Sequence, residues 1–288
     1  MGECRPARPF CVVAACLLTV VSMRAENVGN SPLPDVRQLI REVQDHQKQI
    51  EAVREAYTYT ALRTTQDIDA NGRPTKTETE ENEDFFVNGH IIRHMVKKNG
   101  QPLSDHDQQK ETERVTKAVE KAQETPPGEH QGGGMIRVSR VLELMDVSNP
   151  RRENYRGRPT IVFDFVGRKD AKTHGLAEDA SKKLKGTIWV DEADRQVAHL
   201  EVTFDDNFHV GGGLLANVEK GSNFHFDQAP VESGLWLPTG GEGTLQARVL
   251  LLKNMRQHFI ERVYDYKRFR VDAQQSKDAT VVPSAKQQ

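Results

Sequence analysis

Hydrophobic residues recur at intervals of three and four along residues 32–57, PLPDVRQLIREVQDHQKQIEAVREAY. This spacing is the period of an α-helix with one apolar stripe. Asp35 precedes the stripe, where its carboxylate can accept a hydrogen bond from a free backbone N–H of the first turn. The pattern predicts an amphipathic helix that lies on a sheet, with its stripe formed mostly by Val36, Leu39, Ile40, Val43, Ile50 and Val53.

From residue 57 onward, apolar and polar residues alternate, which is the period of β-strands. Asn-Gly pairs at 71–72, 88–89 and 99–100 interrupt this alternation. Because Asn-Gly is a preferred sequence for tight hairpin turns, the region is predicted to be a meander of antiparallel strands.

Two polar helices and a second run of strands are predicted after residue 103. Ser104 is a capping candidate for a charged helix over 104–122, and another polar helix is expected near 172–184. The segments around the second helix alternate like strands, with Pro and Gly at the joints rather than inside them. This order of elements indicates an α+β fold with one highly curved antiparallel sheet.

The stretch at residues 234–254, GLWLPTGGEGTLQARVLLLKN, has one apolar face and a second face that becomes apolar only at its end. At period two, Leu245, Ala247, Val249 and Leu251 share the first face. A strand of this kind suits a curved sheet whose concave side is covered by protein or by a ligand. The pattern leaves open whether these residues belong to a sealed core or line a groove.

The first 25 residues have the features of a secretory signal peptide. Arg5 and Arg8 precede an uncharged apolar run over 10–23, and Ala25 stands before Glu26. The run is shorter than the roughly 20 residues of a spanning helix, so cleavage near Ala25 is expected. The mature chain is then predicted to be a soluble, exported or periplasmic protein, with one domain over 26–272 and a disordered tail over 273–288.

All three cysteines, Cys4, Cys11 and Cys16, fall in this segment. A cleaved chain therefore has no disulfide, no thiolate metal site and no cysteine nucleophile. The competing interpretation is a lipoprotein signal, because small residues precede Cys16 in VAAC. Without residues 1–25 the chain has 37 basic and 41 acidic side chains. This small excess of negative charge is not the positive charge that binding to nucleic acid requires.

One segment matches the pattern of a calcium-binding loop. In Asp67–Glu78, DIDANGRPTKTE, oxygen-bearing residues stand at loop positions one, three, five and twelve, with Gly72 at six. The flanks alternate as strands, however, and Pro74 occupies a position that is normally apolar. We therefore predict a hairpin turn and no metal site.

No motif for catalysis or cofactor binding is present in the sequence. His90 and His94 are four residues apart, which on a strand separates them by roughly 13 Å, too far to share an ion. Asp191, Glu192 and Asp194 surround a predicted turn, where acidic residues are usually solvated. The protein is therefore expected to be no enzyme and to use no cofactor.

The leading helix, the meander, the hairpin GTIWVDEADRQVAHLEVTF, the later GLWLP and the closing YDYKRF together resemble the LolA/LolB-like family of lipoprotein-sorting factors. This family includes periplasmic sensors of the RseB type. The resemblance spans roughly residues 33–272. It implies an open half-barrel plugged by helices, whose concave face receives acyl chains.

The partner expected from this resemblance is a lipid or a lipoprotein acyl chain, and the alternative is an envelope sensor that recognises a protein partner. The candidate lipid-binding residues are apolar residues that alternate on the later strands. They are Leu200, Val202, Phe204, Phe224, Phe226, Trp236, Leu245, Val249 and Leu251.

The signal-peptide interpretation predicts the mass of the exported product. Cleavage near Ala25 gives a chain that begins close to Glu26 and carries no lipid, which intact-mass spectrometry of the secreted protein measures directly. A diacylglyceryl adduct on Cys16 would instead establish the lipoprotein interpretation.

Overall fold

The computed structural model describes residues 32–126, 137–231, 235–250 and 253–268. The predicted signal peptide, the predicted tail and residues 127–136 lie outside these ranges. The helices are α1 (Val36–Arg54), α2 (Asp105–Glu124), α3 (Val138–Glu143) and α4 (Gly175–Ser181). The strands are β1 (Tyr57–Ile68), β2 (Pro74–Val87), β3 (His90–Lys98), β4 (Gln101–Pro102), β5 (Met145–Tyr155), β6 (Arg158–Gly167), β7 (Leu184–Asp191), β8 (Val197–Phe204), β9 (Phe208–Val210), β10 (Ala216–Val218), β11 (Asn223–Pro230), β12 (Trp236–Val249) and β13 (Lys253–Arg268).

The strands form one antiparallel sheet that stays open. Its order is β4-β3-β2-β1-β13-β12-β11-β8-β7-β6-β5, and β9 and β10 pair beside β12. The first and last strands of this order do not pair with each other, so the sheet does not close. With its few helices, the molecule is an α+β open half-barrel, which confirms the predicted fold class.

The capping residues and the Asn-Gly turns lie where the sequence predicts them. The Asp35 side chain accepts a hydrogen bond from the Gln38 N–H at 2.7 Å, and Ser104 caps α2 by accepting from the Asp107 N–H. Asn88-Gly89 and Asn99-Gly100 both have positive φ at each residue, as a two-residue hairpin turn requires.

The calcium-like segment is a hairpin turn between β1 and β2. The Asp69 side chain accepts hydrogen bonds from the backbone N–H groups of Asn71 and Arg73, each at 2.8 Å. This carboxylate oxygen is therefore occupied by hydrogen bonds within the turn, as is usual for Asp at such positions. The predicted hairpin is confirmed.

The core lies between α1 and one face of the sheet, which we call the inner face. Leu39 and Val43 of α1 pack there against fully buried side chains of β6 to β8, such as Phe163 and Ile188. Seven apolar side chains of α1 and α3 and fourteen of the strands form this core, and all of them are buried or partly buried. The predicted stripe of α1 covers the sheet in its first half, whereas Val53 is 39% exposed and the buried face continues through Gln47 and Glu51.

Buried hydrogen bonds fix α1 on the sheet. The Gln47 amide donates to the Gln196 side chain at 2.8 Å and accepts from that of Gln228 at 3.3 Å. One turn further on, the Glu51 carboxylate accepts from both the backbone N–H and the hydroxyl of Ser139, which attaches α1 to α3. Buried polar groups are tolerated because they are paired in this way.

Three expectations about local structure need correction. The second polar helix is shorter than predicted, since α4 is only Gly175–Ser181, and α3 was not predicted at all. Proline and glycine do not stay at the joints, because Pro238 and Gly240 both lie inside β12. A register shift between Asp227 and Gln228 accommodates them, and Gly240 adopts φ 150°, which a bulge tolerates more easily than a regular ladder.

One edge of the sheet is closed by side chains of α2. The backbone N–H of Met95 on β3 donates to the Glu111 carboxylate at 2.7 Å, and the carbonyl of Arg93 accepts from the Arg114 guanidinium. These bonds satisfy backbone groups that an edge strand otherwise leaves free. Among the described helices, none is long and apolar enough to cross a membrane.

Truncation of the core under α1 is predicted to destabilise the fold. Leu39→Ala is expected to lower the free energy of unfolding by about 2–5 kcal/mol, because it leaves a cavity at a fully buried site. The matched control is Leu33→Ala, at a residue that is 39% exposed, with an expected effect of roughly 0.5 kcal/mol or less. Urea denaturation followed by circular dichroism measures both, and equal losses would contradict the packing described above.

Candidate functional site

The strand register places the predicted lipid-binding residues of β8 and β11 together. Val202 of β8 pairs with Phe224 of β11, and Leu200 pairs with Phe226. Directly paired residues of antiparallel strands point to the same face. Phe204 follows on this face two residues after Val202. All five therefore lie on the inner face, which α1 covers.

The same face continues across β12. Phe224 pairs with Gly243, and the ladder between β12 and β13 is unbroken from Gly240 to Val249. Alternation therefore puts Leu245 and Val249 on the inner face, with Gly243. The structure thus brings together on one face residues that are far apart in the chain. Leu251 lies outside the described residues.

Burial divides this face into a sealed part and an open part. Leu200 and Val202 are only 3% and 2% exposed and belong to the core beneath α1. Phe204, Phe224 and Phe226 are partly buried and pack against the edge of that core. Further along β12, Leu245 and Val249 are only partly covered, and Ala247 between them is 4% exposed.

A glycine makes room for aromatic rings at the open part. A Cβ atom at Gly243 would lie 2.6 Å from Cζ of Phe259 and 2.8 Å from Cβ of Phe224, so no larger residue fits there without a shift. Phe259 is the β13 partner of Gly243 and lies on the same face. No local pattern in the sequence distinguishes Phe259, because only the strand register shows that it flanks Gly243 opposite Phe224.

Trp236 marks the other end of β12, beside a cavity. Its indole N–H donates to the Asp194 carboxylate at 3.0 Å, and the Arg158 guanidinium lies over its ring, 5.5 Å from the centroid. The cavity has a volume of about 240 Å³, which is below the range of pockets for drug-sized ligands. It is lined by His46, Gln49, Ile50, Asp194, Gln196 and Trp236.

The inner face turns polar on β1 and β2. Asp84 pairs with Tyr59 and is 2% exposed, yet its Oδ1 has no hydrogen-bond partner in the described structure. The nearest cation is Arg93, whose Nε lies 3.8 Å from Asp84 Oδ2. Burial raises the pKa of Asp84 to about 6, because desolvation outweighs the attraction of Arg93. No sequence motif indicated this residue.

A second polar cluster lies on the outer face, opposite α1. The two ring nitrogens of His199 face carboxylates, Nδ1 at 2.7 Å from Asp227 and Nε2 at 3.3 Å from Glu201. The Tyr155 hydroxyl also donates to Asp227, and its ring stacks on His199 with centroids 4.9 Å apart. Burial opposes the charged imidazole, but these carboxylates outweigh it and raise the pKa of His199.

The histidines and acidic residues that the sequence offered as candidates do not form a catalytic or metal site. His90 and His94 lie on β3, as predicted. Arg158 forms ion pairs with both Asp191 and Asp194, and Glu192 is paired with another arginine. Over the described ranges, no group of three or more His, Asp or Glu side chains is placed to hold a metal ion.

Comparisons with known proteins point to solved structures of the kind that the sequence resembles. No protein-family model matches the chain, and no curated protein matches its sequence. The chain is similar to an outer-membrane lipoprotein-sorting protein domain from Vibrio parahaemolyticus, with 9% identity, a TM-score of 0.37, and coverage of 83% of this chain and 95% of that one.

Two further solved structures are similar at the same identity. A DUF1329 family protein from Desulfovibrio piger has a TM-score of 0.30, with coverage of 82% of this chain and 95% of that one. MucB, solved in complex with MucA from Pseudomonas aeruginosa, has a TM-score of 0.23, with coverage of 77% and 94% at 9% identity. These matches confirm the predicted resemblance to lipoprotein-sorting and RseB-type proteins. Their TM-scores are too low to indicate what ligand this chain binds.

The buried carboxyl of Asp84 is predicted to make stability depend on pH. The pKa of Asp84 in the folded protein is raised to about 6. The stability that its neutral carboxyl contributes is therefore fully present below the ordinary pKa of 3.8 and is lost as pH rises through 6. Asp84→Asn is therefore expected to remove this loss of stability with rising pH and to stabilise the protein at pH 7 by about 1–3 kcal/mol. Urea denaturation at about pH 4.5 and pH 7 measures the effect.

Glu83→Gln is the matched control, because Glu83 is the exposed neighbour of Asp84 on the same strand. It should leave the difference between the two pH values unchanged. Loss of stability at pH 7 in Asp84→Asn would show that the ion pair with Arg93 outweighs the cost of burying the charge.

Proposed function

We propose that this protein is an exported, non-enzymatic carrier that binds a lipid or lipoprotein acyl chain along the open part of its inner face. The observation that carries the proposal is the row of partly covered apolar side chains that continues past α1. This row is formed by Phe224, Phe226, Leu245, Val249 and Phe259.

Physical chemistry supports an acyl chain as the ligand of this row. An acyl chain gains about 0.8 kcal/mol for each methylene that it buries, so it needs no polar anchor. None of the five side chains in the row is charged, and Gly243 lets the Phe259 ring and Cβ of Phe224 pack closely against β12. The sealed part of the face, with Leu200 and Val202, then serves as the wall against which the chain ends.

The shallow cavity at Trp236 is a less suitable place for the ligand. It lies between α1 and the turn that follows β7, so it adjoins the end of the inner face opposite to Val249. At about 240 Å³ it is too small to enclose a whole ligand. We infer that an acyl chain lies in the open part of the face, and that α1 stays in place when it binds.

Adjacent residues of β12 provide a sharp test, because they point to opposite faces. Leu245→Glu places a carboxylate in the apolar row and is expected to lower binding of a fluorescent fatty acid by about tenfold or more. Thr244→Glu puts the same charge on the outer face and should leave binding unchanged. Fluorescence titration measures affinity, and mass spectrometry of extracts identifies lipid retained by the purified protein.

Circular dichroism shows whether both variants fold, and Leu245→Ser serves as a milder variant should the glutamate prevent folding. Equal affinity in the two folded glutamate variants would overturn the placement of the ligand on this face. A folded wild-type protein that binds neither fatty acid nor extracted lipid would overturn the carrier function and favour an envelope sensor that recognises a protein partner.

A further inference from the structure

An exposed apolar surface lies at the end of the sheet where β12 turns into β13. Leu214 and Leu215 follow β9, and Leu250 follows β12; their exposed fractions are 63%, 56% and 63%. The Leu250 N–H donates to the Leu215 carbonyl at 3.0 Å, which joins the two turns. We call these three residues the leucine tip.

The leucine tip is held outward by regular structure. Strand β10 pairs with β12 from Ala216↔Val249 onward, so the pairing begins directly below the leucines. The turn before it contains Gly211 to Gly213, all with positive φ, a conformation that glycine adopts without a steric cost. Single exposed leucines are common on protein surfaces, but three on two bonded turns form a contiguous patch of the kind that marks an interaction site.

Positive charge lies beside the tip. Arg248, Lys253 and Arg256 are exposed. Residues 207–218, 243–250 and 253–260 contain no Asp or Glu. On the neighbouring β1–β2 turn, the carboxylate of Asp69 is engaged by Arg73 and by backbone N–H groups. The tip is therefore an apolar surface with a basic rim, on a chain whose net charge is negative.

We propose that the leucine tip docks on the surface of a bilayer that contains anionic lipids. The leucines enter the boundary between headgroups and acyl chains, and Arg248 and Lys253 lie at the level of the lipid phosphates. Apolar area and attraction between basic side chains and anionic lipids act together in such binding. The basic rim favours this occupant over a second copy of the chain, because two copies would bring their cations together.

Vesicle co-sedimentation of the secreted product of the full chain tests the proposal. Vesicles of phosphatidylcholine with phosphatidylglycerol are compared with vesicles of phosphatidylcholine alone. The wild-type protein is expected to partition to the anionic vesicles about tenfold more strongly, and raising the salt until the Debye length is about 3 Å should remove most of this difference.

A triple variant, Leu214→Ser with Leu215→Ser and Leu250→Ser, is expected to reduce partitioning to anionic vesicles about tenfold or more. Leu176→Ser is the matched control, since Leu176 is 55% exposed on α4. Lys253→Glu should also weaken binding, whereas Lys267→Glu, an exposed position at the other end of β13, should not. All variants share the same N-terminus, so their differences report on the tip.

Wild-type binding that is absent, equal on both kinds of vesicle, or unchanged in the folded triple variant would overturn the proposal. Light scattering is recorded in parallel, and self-association that the triple variant alone loses, without vesicle binding, would assign the tip to a second copy instead. Because the three leucines are not part of the inner-face row, fatty-acid binding by the triple variant separates failure of this proposal from failure of the carrier function.

Discussion

The need to cover one face of a wide open sheet with a single long helix is the constraint on which the rest of the structure depends. A helix is about 10 Å wide with its side chains, whereas strands repeat every 4.8 Å or so, so α1 can cover only two or three of them. It does so over β6 to β8, where the inner face is most densely apolar. Gln47 and Glu51 fix the helix there through buried hydrogen bonds.

The composition of the remaining inner face follows from this limited coverage. Beyond α1, β12 and β13 have partly covered apolar residues, and β1 and β2 change to polar ones. On β1 and β13, Arg63 forms an ion pair with Glu261 within this face, and Asp84 lies buried nearby on β2. One face thus passes from sealed core through a partly covered apolar row to a charged region.

Local chemistry explains what the sequence predicted well. Asp35, Ser104 and the Asn-Gly pairs determine helix starts and turns through contacts within a few residues, so these elements lie where expected. Non-local pairing explains what was missed. Phe259 becomes part of the site only through its register with Gly243, and Asp84 is unusual only because distant strands bury it. The bulge at Gly240 likewise depends on how β12 pairs with β11, and the sequence of β12 alone does not reveal that pairing.

The closure of one sheet edge by α2 limits how copies of this chain can associate through their strands. A growing ribbon of sheets needs two free edges on every copy. Here Glu111 and Arg114 occupy backbone groups of β3, and the short β4 beyond its end finishes in Pro102, which has no N–H to donate. Among the described strands, the edges that remain free are those of β5 and of β9, which is only three residues long. Pairing of two copies through their β5 edges would leave no long free edge, so the closure by α2 hinders growth into a fibre.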